Sequence, residues 1–292
     1  MDRFEEPGVT NLLGIYEKAL PRNMGWEERF RAVASAGYDF MELSIDESPE
    51  RLARLEWHLE ERLAFTRASR GVGVPVPSMC LSAHRKYSLG SADPAIRAES
   101  LRIMESAIHL ASDTGIRVIQ LAGYDVYYEP PTRDSRERYL DGMETALELA
   151  ARHQVMLALE IMDTTFLNSV TKYLILKERL PSPWFAVYPD LGNLSAWGND
   201  MVRELTLGIR DIVGIHIKET KPVGPDFPGA FRDVRFGEGG VDFELCFSTL
   251  RSLAYAGPFL VEMWTEKTDD PLAEIARARA WVLERLRSGG FV

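Results

Sequence analysis

Four side chains in the second half of the chain are of types that bind cations or move protons: Glu160 in ALEIMD, Asp190 in VYPDLGN, His216 in GIHIKET and Glu262 in LVEMW. Each stands at or near the end of a short apolar run. An ionised carboxylate in apolar surroundings is costly unless something positive compensates it. Three carboxylates and an imidazole gathered at one point would repel strongly, whereas a divalent cation among them turns that repulsion into binding. Mixed oxygen and nitrogen donors suit Zn, Mn, Mg or Co and do not choose among them. Taken singly, a Glu at a strand end is more often a rim salt bridge, and a lone His is usually a hydrogen-bonded core residue. The four carry chemistry only if the fold brings them together.

The elements that would do so are legible as alternating patterns. Eight apolar runs, at 12–16, 40–45, 76–82, 118–123, 156–162, 185–190, 212–218 and 259–264, have the near-continuous hydrophobicity of strands covered on both faces. Between them, helical spacing predicts helices over about 25–36, 50–71, 93–114, 133–153, 168–180, 199–209, 242–255 and 270–288. Asp93 before Pro94, Asp242 after a glycine run and Asp270 before Pro271 have N-cap chemistry, and Gly37 and Gly115 suit helix ends. Strand and helix taking turns eight times, with no linker between them, is an α/β chain forming one closed (β/α)8 TIM barrel. A single domain over 1–292 is expected, with a polar extension at 1–10 and a short tail at 286–292. In such a barrel the active site lies at the carboxyl ends of the strands, where all four residues fall, on the last four strands.

Composition removes several function classes. A chain of 292 residues with 46% hydrophobic and 27% charged residues is globular, and its formal charge of −10 disfavours a nucleic-acid partner. No apolar stretch approaches the ~18 residues needed to cross a membrane, and the start MDRFEEPGVTN is not a signal peptide, so a cytoplasmic protein is expected. Cys80 and Cys246 are too few for a disulfide framework and are expected to be reduced and buried.

The segments GIYEKALP, VPSMCLSAHRK, RVIQLAGYDVYY, EIMDT, YPDLGNLSAWGND, IKETKP, FGEG and VEMW, in this order over nearly the whole chain, resemble the L-ribulose-5-phosphate/L-xylulose-5-phosphate 3-epimerases of the xylose-isomerase-like barrels. The resemblance implies a TIM barrel with one divalent metal ion held by Glu160, Asp190, His216 and Glu262. It also implies epimerisation of a phosphorylated ketopentose at C3, and an assembly of dimers or larger, hence a homodimer. One departure is KPVGPDFPGAFRDVRFGEG, a longer loop after strand 7 than expected, carrying Arg235.

Inverting one carbon requires a proton to leave one face and return on the other, so two acid/base groups are needed. Strands 5 and 8 lie about 135° apart around an eight-stranded barrel, so Glu160 and Glu262 would flank a flat cis-enediolate from opposite sides, with a cation as Lewis acid. For substrate recognition the candidates are Lys218, Lys221, His84, Asn193, Trp264 and Gly239 of the GEGG segment, where backbone amides ahead of a helix would cradle phosphate unless the segment is simply a turn and an N-cap. Lys18, Arg85 and Lys86 are further basic candidates, and Tyr124 and Trp197 further aromatic ones. An aldose–ketose isomerase would use the same metal and a similar enediolate. An apurinic endonuclease would need more histidines than the five present, and a non-catalytic sugar-binding barrel would be expected to lack a ligand.

Overall fold

Period-two alternation on each run decides the architecture. In FMELSI, Met41, Leu43 and Ile45 join the large core shared with the helices, while Phe40 packs with Tyr16, Cys80 and Leu260 in a separate inner cluster. Glu42 and Ser44 share Phe40's parity and therefore point to the inside as well. A ribbon apolar on one face and mixed on the other buries both only if it closes on itself and is wrapped by helices.

The computed structural model describes residues 11–291 and shows that closure. The strands are β1 (Leu13–Tyr16), β2 (Phe40–Ile45), β3 (Ser78–Leu81), β4 (Val118–Ala122), β5 (Met156–Glu160), β6 (Phe185–Tyr188), β7 (Ile215–Ile217) and β8 (Phe259–Val261). They are parallel and ordered β6-β5-β4-β3-β2-β1-β8-β7. The two end strands meet through isolated parallel bridges, Val187 with Ile212 and Asp190 with His216. Around the barrel lie α1 (Trp26–Ser35), α2 (Pro49–Leu52), α3 (Leu59–Val72), α4 (Pro94–Thr114), α5 (Arg133–His153), α6 (Val170–Arg179), α7 (Leu191–Ala196), α8 (Met201–Gly208), α9 (Phe243–Ser252) and α10 (Pro271–Ser288). Asp93, Asp242 and Asp270 cap α4, α9 and α10 through their side chains. Among the described residues no helix is long and apolar enough to cross a membrane.

Three features depart from the sequence pattern. The helix expected over 50–71 is broken into α2, a short 3-10 turn (Ala53–Glu56) and α3. Arg51 and Arg54 are turned inward, to Asp46 and Glu17, and the chain restarts where the Glu61 side chain accepts the His58 N–H at 2.8 Å. The short α7 follows β6 where no separate helix was expected. α10 ends at Ser288, where the helical spacing puts its end, but beyond it Phe291, 3% exposed, packs edge-on against Phe247 and Phe259, which the sequence pattern did not indicate. The extension at 1–10 lies outside the described residues.

One buried ion cluster fastens the first two units. Glu17 is fully buried after β1 and accepts from Arg29 at 3.1 Å, from Arg54 at 2.7 and 2.9 Å, and from the Ser44 N–H at 2.8 Å. Burial alone would raise the Glu17 pKa, but Arg54 and Arg29 hold it below the usual carboxylate value. Glu17→Gln leaves two buried guanidinium groups short of an anion and is expected to cost about 3–5 kcal/mol in urea unfolding. Because the folded pKa is depressed, this stabilisation is complete above the unfolded value of about 4.3 and is lost as pH falls through the folded one. The gap between wild type and Glu17→Gln should therefore narrow in acid.

Candidate metal centre and substrate cavity

The seam where the barrel closes builds the site. Asp190 follows β6 and caps α7, its Oδ1 accepting the Asn193 N–H at 2.8 Å, which leaves Oδ2 facing the barrel mouth. Gly192 is required by this packing, since a Cβ there would lie 2.4 Å from Lys218 O. The bridge to His216, with the His216 N–H donating to Pro189 O at 2.9 Å, sets the imidazole beside that carboxylate. Glu160 is the last residue of β5, and Glu262 immediately follows β8, its N–H bonded to Ile217 O at 3.0 Å.

Ligand atoms of Glu160, Asp190, His216 and Glu262 all lie within 4.8 Å of one another. His216 Nδ1 is 3.1 Å from Glu160 Oε1 and 3.4 Å from Glu262 Oε2, so Nδ1 is the ring atom that faces the carboxylates. On the other side of the ring, Nε2 donates to Glu42 Oε1 at 3.2 Å, and Glu42 Oε2 accepts from Ser78 Oγ at 2.7 Å. Gln120 Nε2 donates to Glu160 Oε2. Lys218 stands among the acids, 2.7 Å from Asp190 Oδ2 and 3.0 Å from Glu262 Oε2.

Charge is balanced closely. Burial alone would lower the pKa of His216, but Glu160 and Glu42 hold it well above its ordinary value. Glu160 is raised by burial and by the neighbouring Glu262. Of the two carboxylates sharing Lys218, Asp190 is pushed up to about 8, by burial first and then by Glu262 and Glu160. Burial also acts to raise Glu262, but Lys218 and His216 hold it well below its usual value. The donor set suits a divalent cation: three carboxylates and one imidazole nitrogen converge, and Asp190 Oδ2, fully buried, has an ammonium nearby but no hydrogen-bond partner among the described residues.

Above these residues opens a cavity of about 750 Å3, mouth included, with Tyr16, Lys18, Ser82, Arg85, Tyr124, Asn193 and Trp264 in its wall. Asn193 is held by a 2.8 Å bond from Nδ2 to Ile161 O, and among the described residues its Oδ1 is free of partners, as is Trp264 Nε1. Trp264 stands edge-on to Tyr16 and carries Arg232 at 4.4 Å from its ring.

The remaining recognition candidates are otherwise engaged or lie outside the cavity. His84 Nε2 donates to Ser100 O at 3.1 Å, and burial lowers its pKa to about 4, so it is a neutral link to α4. Lys221 is exposed, and its backbone pairs with Ala230. Lys218 is taken up by Asp190 and Glu262. Amides in and just after the GEGG segment are occupied by the chain itself: Glu219 accepts from Gly237 N at 3.0 Å and from Val241 N at 3.2 Å, and Gly240 N donates to Thr220 O at 2.8 Å. A Cβ on Gly239 would fall 2.2 Å from Glu219 Oε1, so this glycine makes room for a carboxylate of the chain itself. Sequence reading missed Glu42, Gln120 and Glu219. The first two had a signal, a polar residue in the middle of a run buried on both faces.

Comparison with known proteins agrees with this geometry. The family profile described as xylose isomerase-like TIM barrel matches residues 30–285. The L-ribulose-5-phosphate 3-epimerase UlaE of Escherichia coli (strain SE11) is 54% identical over 280 residues, 96% of each chain. The putative L-ribulose-5-phosphate 3-epimerase SgbU of Escherichia coli (strain K12) is also 54% identical, over 96% of this chain and 98% of that one. Among solved structures, an L-ribulose 3-epimerase superposes with a TM-score of 0.78 at 21% identity, covering 96% of both chains. A D-allulose 3-epimerase from Methylomonas sp. bound to D-allulose gives 0.76 at 18% identity, covering 94% of this chain and 97% of that one. At those identities the structural likeness concerns the fold. With a matching profile over most of its length and relatives at this identity, the chain belongs to the xylose isomerase-like TIM barrel family, among the relatives of the L-ribulose-5-phosphate 3-epimerases.

Proposed function

We propose that the protein is a metal-dependent 3-epimerase of a ketopentose 5-phosphate, interconverting L-xylulose 5-phosphate and L-ribulose 5-phosphate. The observation that carries this reading is the convergence of two carboxylates, Glu160 at the end of β5 and Glu262 just after β8, on His216 Nδ1 at 3.1 and 3.4 Å. The 54% identity to UlaE supports the choice of substrate. Glu160, Asp190, His216 Nδ1 and Glu262 would hold the ion, which when bound supplies Lewis-acid stabilisation of negative charge on the C2 and C3 oxygens.

The chain's own groups do the rest. One Glu takes the C3 proton while C2 and C3 become a planar enediolate; the other, protonated, delivers a proton to the opposite face of C3 as the C2 carbonyl re-forms. One proton leaves and one returns, so no oxidant or reductant is required. Gln120 fixes Glu160 through Oε2, so that carboxylate cannot swing off the substrate's face. The ion-pair contacts of Glu262 with His216 and Lys218 both fall on Oε2. Asn193 Oδ1 and Trp264 Nε1 offer an acceptor and a donor to sugar hydroxyls. Trp264 and Tyr16 wall the reacting carbons from water, where a proton on the wrong face would undo the stereochemistry.

Three outcomes are expected. In deuterated water, the wild type incorporates label at C3 of L-ribulose 5-phosphate, followed by NMR; label at C1 would instead identify an aldose–ketose isomerase. Glu160→Gln and Glu262→Gln each lower turnover by about 10²–10⁴-fold, the usual worth of a positioned acid or base. Near-normal epimerisation by either variant would remove the two-base assignment. Divalent metal added to chelated protein raises the melting temperature, and Glu42→Leu, which frees His216 Nε2, weakens metal affinity by about 10–100-fold in a titration.

A further inference from the structure

Residues 218–242, which join β7 to α9, begin as a stiff finger rather than a slack connection. The backbone there pairs with itself, Lys221 with Ala230 and Gly224 with Phe227. The returning limb lays Phe231 and Arg232 along the wall of the substrate cavity. Arg232 rests on the Trp264 ring at 4.4 Å, and its Nη2 donates to Glu266 Oε2 at 2.9 Å. The other oxygen of that carboxylate, Oε1, accepts from Arg22 Nη2, in the segment after β1, at 2.9 Å. Asp233, left-handed at φ 60°, turns the chain away and meets Lys267 Nζ at 2.6 Å. Glu266 therefore joins the loops that follow β1, β7 and β8. Its partners are in water's reach, with Glu266 42% and Arg232 51% exposed, so each pair is weak and sensitive to salt. The backbone beside Trp264 is held independently, because the buried Thr265 donates its hydroxyl to Ala19 O at 2.9 Å. What the finger adds is a contact on the indole.

We infer that Glu266 is a positioning residue: through Arg232 it holds the Trp264 indole as a wall of the substrate cavity, and its two ion pairs latch the finger at the mouth. The inference rests on the epimerase reading above and adds a residue outside its acid/base and metal groups. Trp264 Nε1 is buried without a partner among the described residues, so an indole kept in one place presents its donor to a sugar hydroxyl at a fixed point. Ordering the ring beforehand removes the cost of immobilising it when the sugar binds. Sugar must also enter and leave, and exposed ion pairs suit that task because they break and re-form easily. A buried pair such as Glu17 with Arg54 would lock the mouth instead. Arg232 acts here through Trp264 and not as a ligand for the anionic end of a sugar. The two roles differ in sign. Neutralising Glu266 would release a ligand arginine and strengthen binding of an anionic substrate, whereas it loosens a latch and weakens binding.

The experiment compares wild type with Glu266→Gln, Arg232→Met and Arg232→Lys, with melting curves to verify folding. Trp264 is followed by acrylamide quenching of fluorescence, taken as the difference between each protein and the same protein carrying Trp264→Phe. Its quenching should rise by about 3-fold in Glu266→Gln and Arg232→Met and by less in Arg232→Lys, which keeps a charge for Glu266. In about 0.5 M NaCl the wild type should move toward Glu266→Gln, and that variant should not change. Kinetics on L-ribulose 5-phosphate at low salt should show KM raised by about 5–10-fold in Glu266→Gln and kcat within about 2-fold, the worth of one or two exposed ion pairs. A fall in KM in Glu266→Gln overturns the latch and makes Arg232 a direct ligand. Unchanged KM, or unchanged quenching, in folded Glu266→Gln and Arg232→Met overturns it as well. If the wild type does not epimerise L-ribulose 5-phosphate, the epimerase reading fails, and the quenching series alone supports the latch by rising or overturns it by staying flat. If the wild type epimerises and the quenching series is flat, the latch fails while the epimerase reading stands.

Discussion

The structure is organised around negative charge taken out of water. Glu42, Glu160, Asp190 and Glu262 all converge on His216 and Lys218 at the carboxyl end of one barrel. An isolated buried carboxylate would simply take up a proton, as Asp190 tends to do. The chain instead sets two cationic side chains among the four acids, which offsets part of the negative charge and leaves an excess of carboxylate. Lys218 thus has a role that its position in the sequence did not suggest. It faces Asp190 and Glu262 and holds two mutually repelling carboxylates in one place, rather than reaching out to a phosphate.

That electrostatic arrangement depends on a seam. β6 and β7 are joined only by isolated bridges, and one of them joins Asp190 to His216. A regular ladder would continue past that point and carry the side chains alternately in and out. Here the chain turns at Pro189 and Asp190 into α7, so one carboxylate both caps a helix and faces the cavity. The two tasks fall on different oxygens, which is why Asp190 is rigid yet keeps Oδ2 available. Glu42 performs a similar service for the imidazole: it binds Nε2, and the nitrogen left facing the acids is Nδ1.

How much of this was legible in the sequence depends on range. The strand order, most helix bounds and the four clustered residues follow from local periodicity and from the rule that barrel chemistry sits at strand ends. Glu42 and Gln120 escaped because they stand inside runs whose other members are apolar, and a strand-end rule looks past the middle of a strand. Parity would have found them, since Glu42 shares its face with Phe40 and Ser44. The break in the helix expected over 50–71 was not legible, because its cause is Glu17, a partner 37 residues from Arg54. The same holds for Gly239: its glycine-rich surroundings resemble a phosphate cradle, and only the fold reveals that Glu219 already fills it.

The charge map of the mouth then has a direction. Acidic groups come from β5 to β8, and Lys18 and Arg85 come from the turns after β1 and β3, with aromatic rings between the two regions. A substrate whose one end is drawn to a cation and whose other end is an anion fits this polarity in one orientation only. For the ketose phosphate proposed above, the reverse orientation would set the phosphoryl group against buried carboxylates, with like charges a few ångström apart in a poorly hydrated site, where such repulsion is weakly screened. Orientation is therefore fixed by repulsion as much as by attraction. That constraint matters for an epimerase in particular. In the two-base mechanism proposed above, a pair of carboxylates does not itself distinguish C3 from its neighbours, so the carbon presented to Glu160 and Glu262 would be decided by where the far end of the sugar is held.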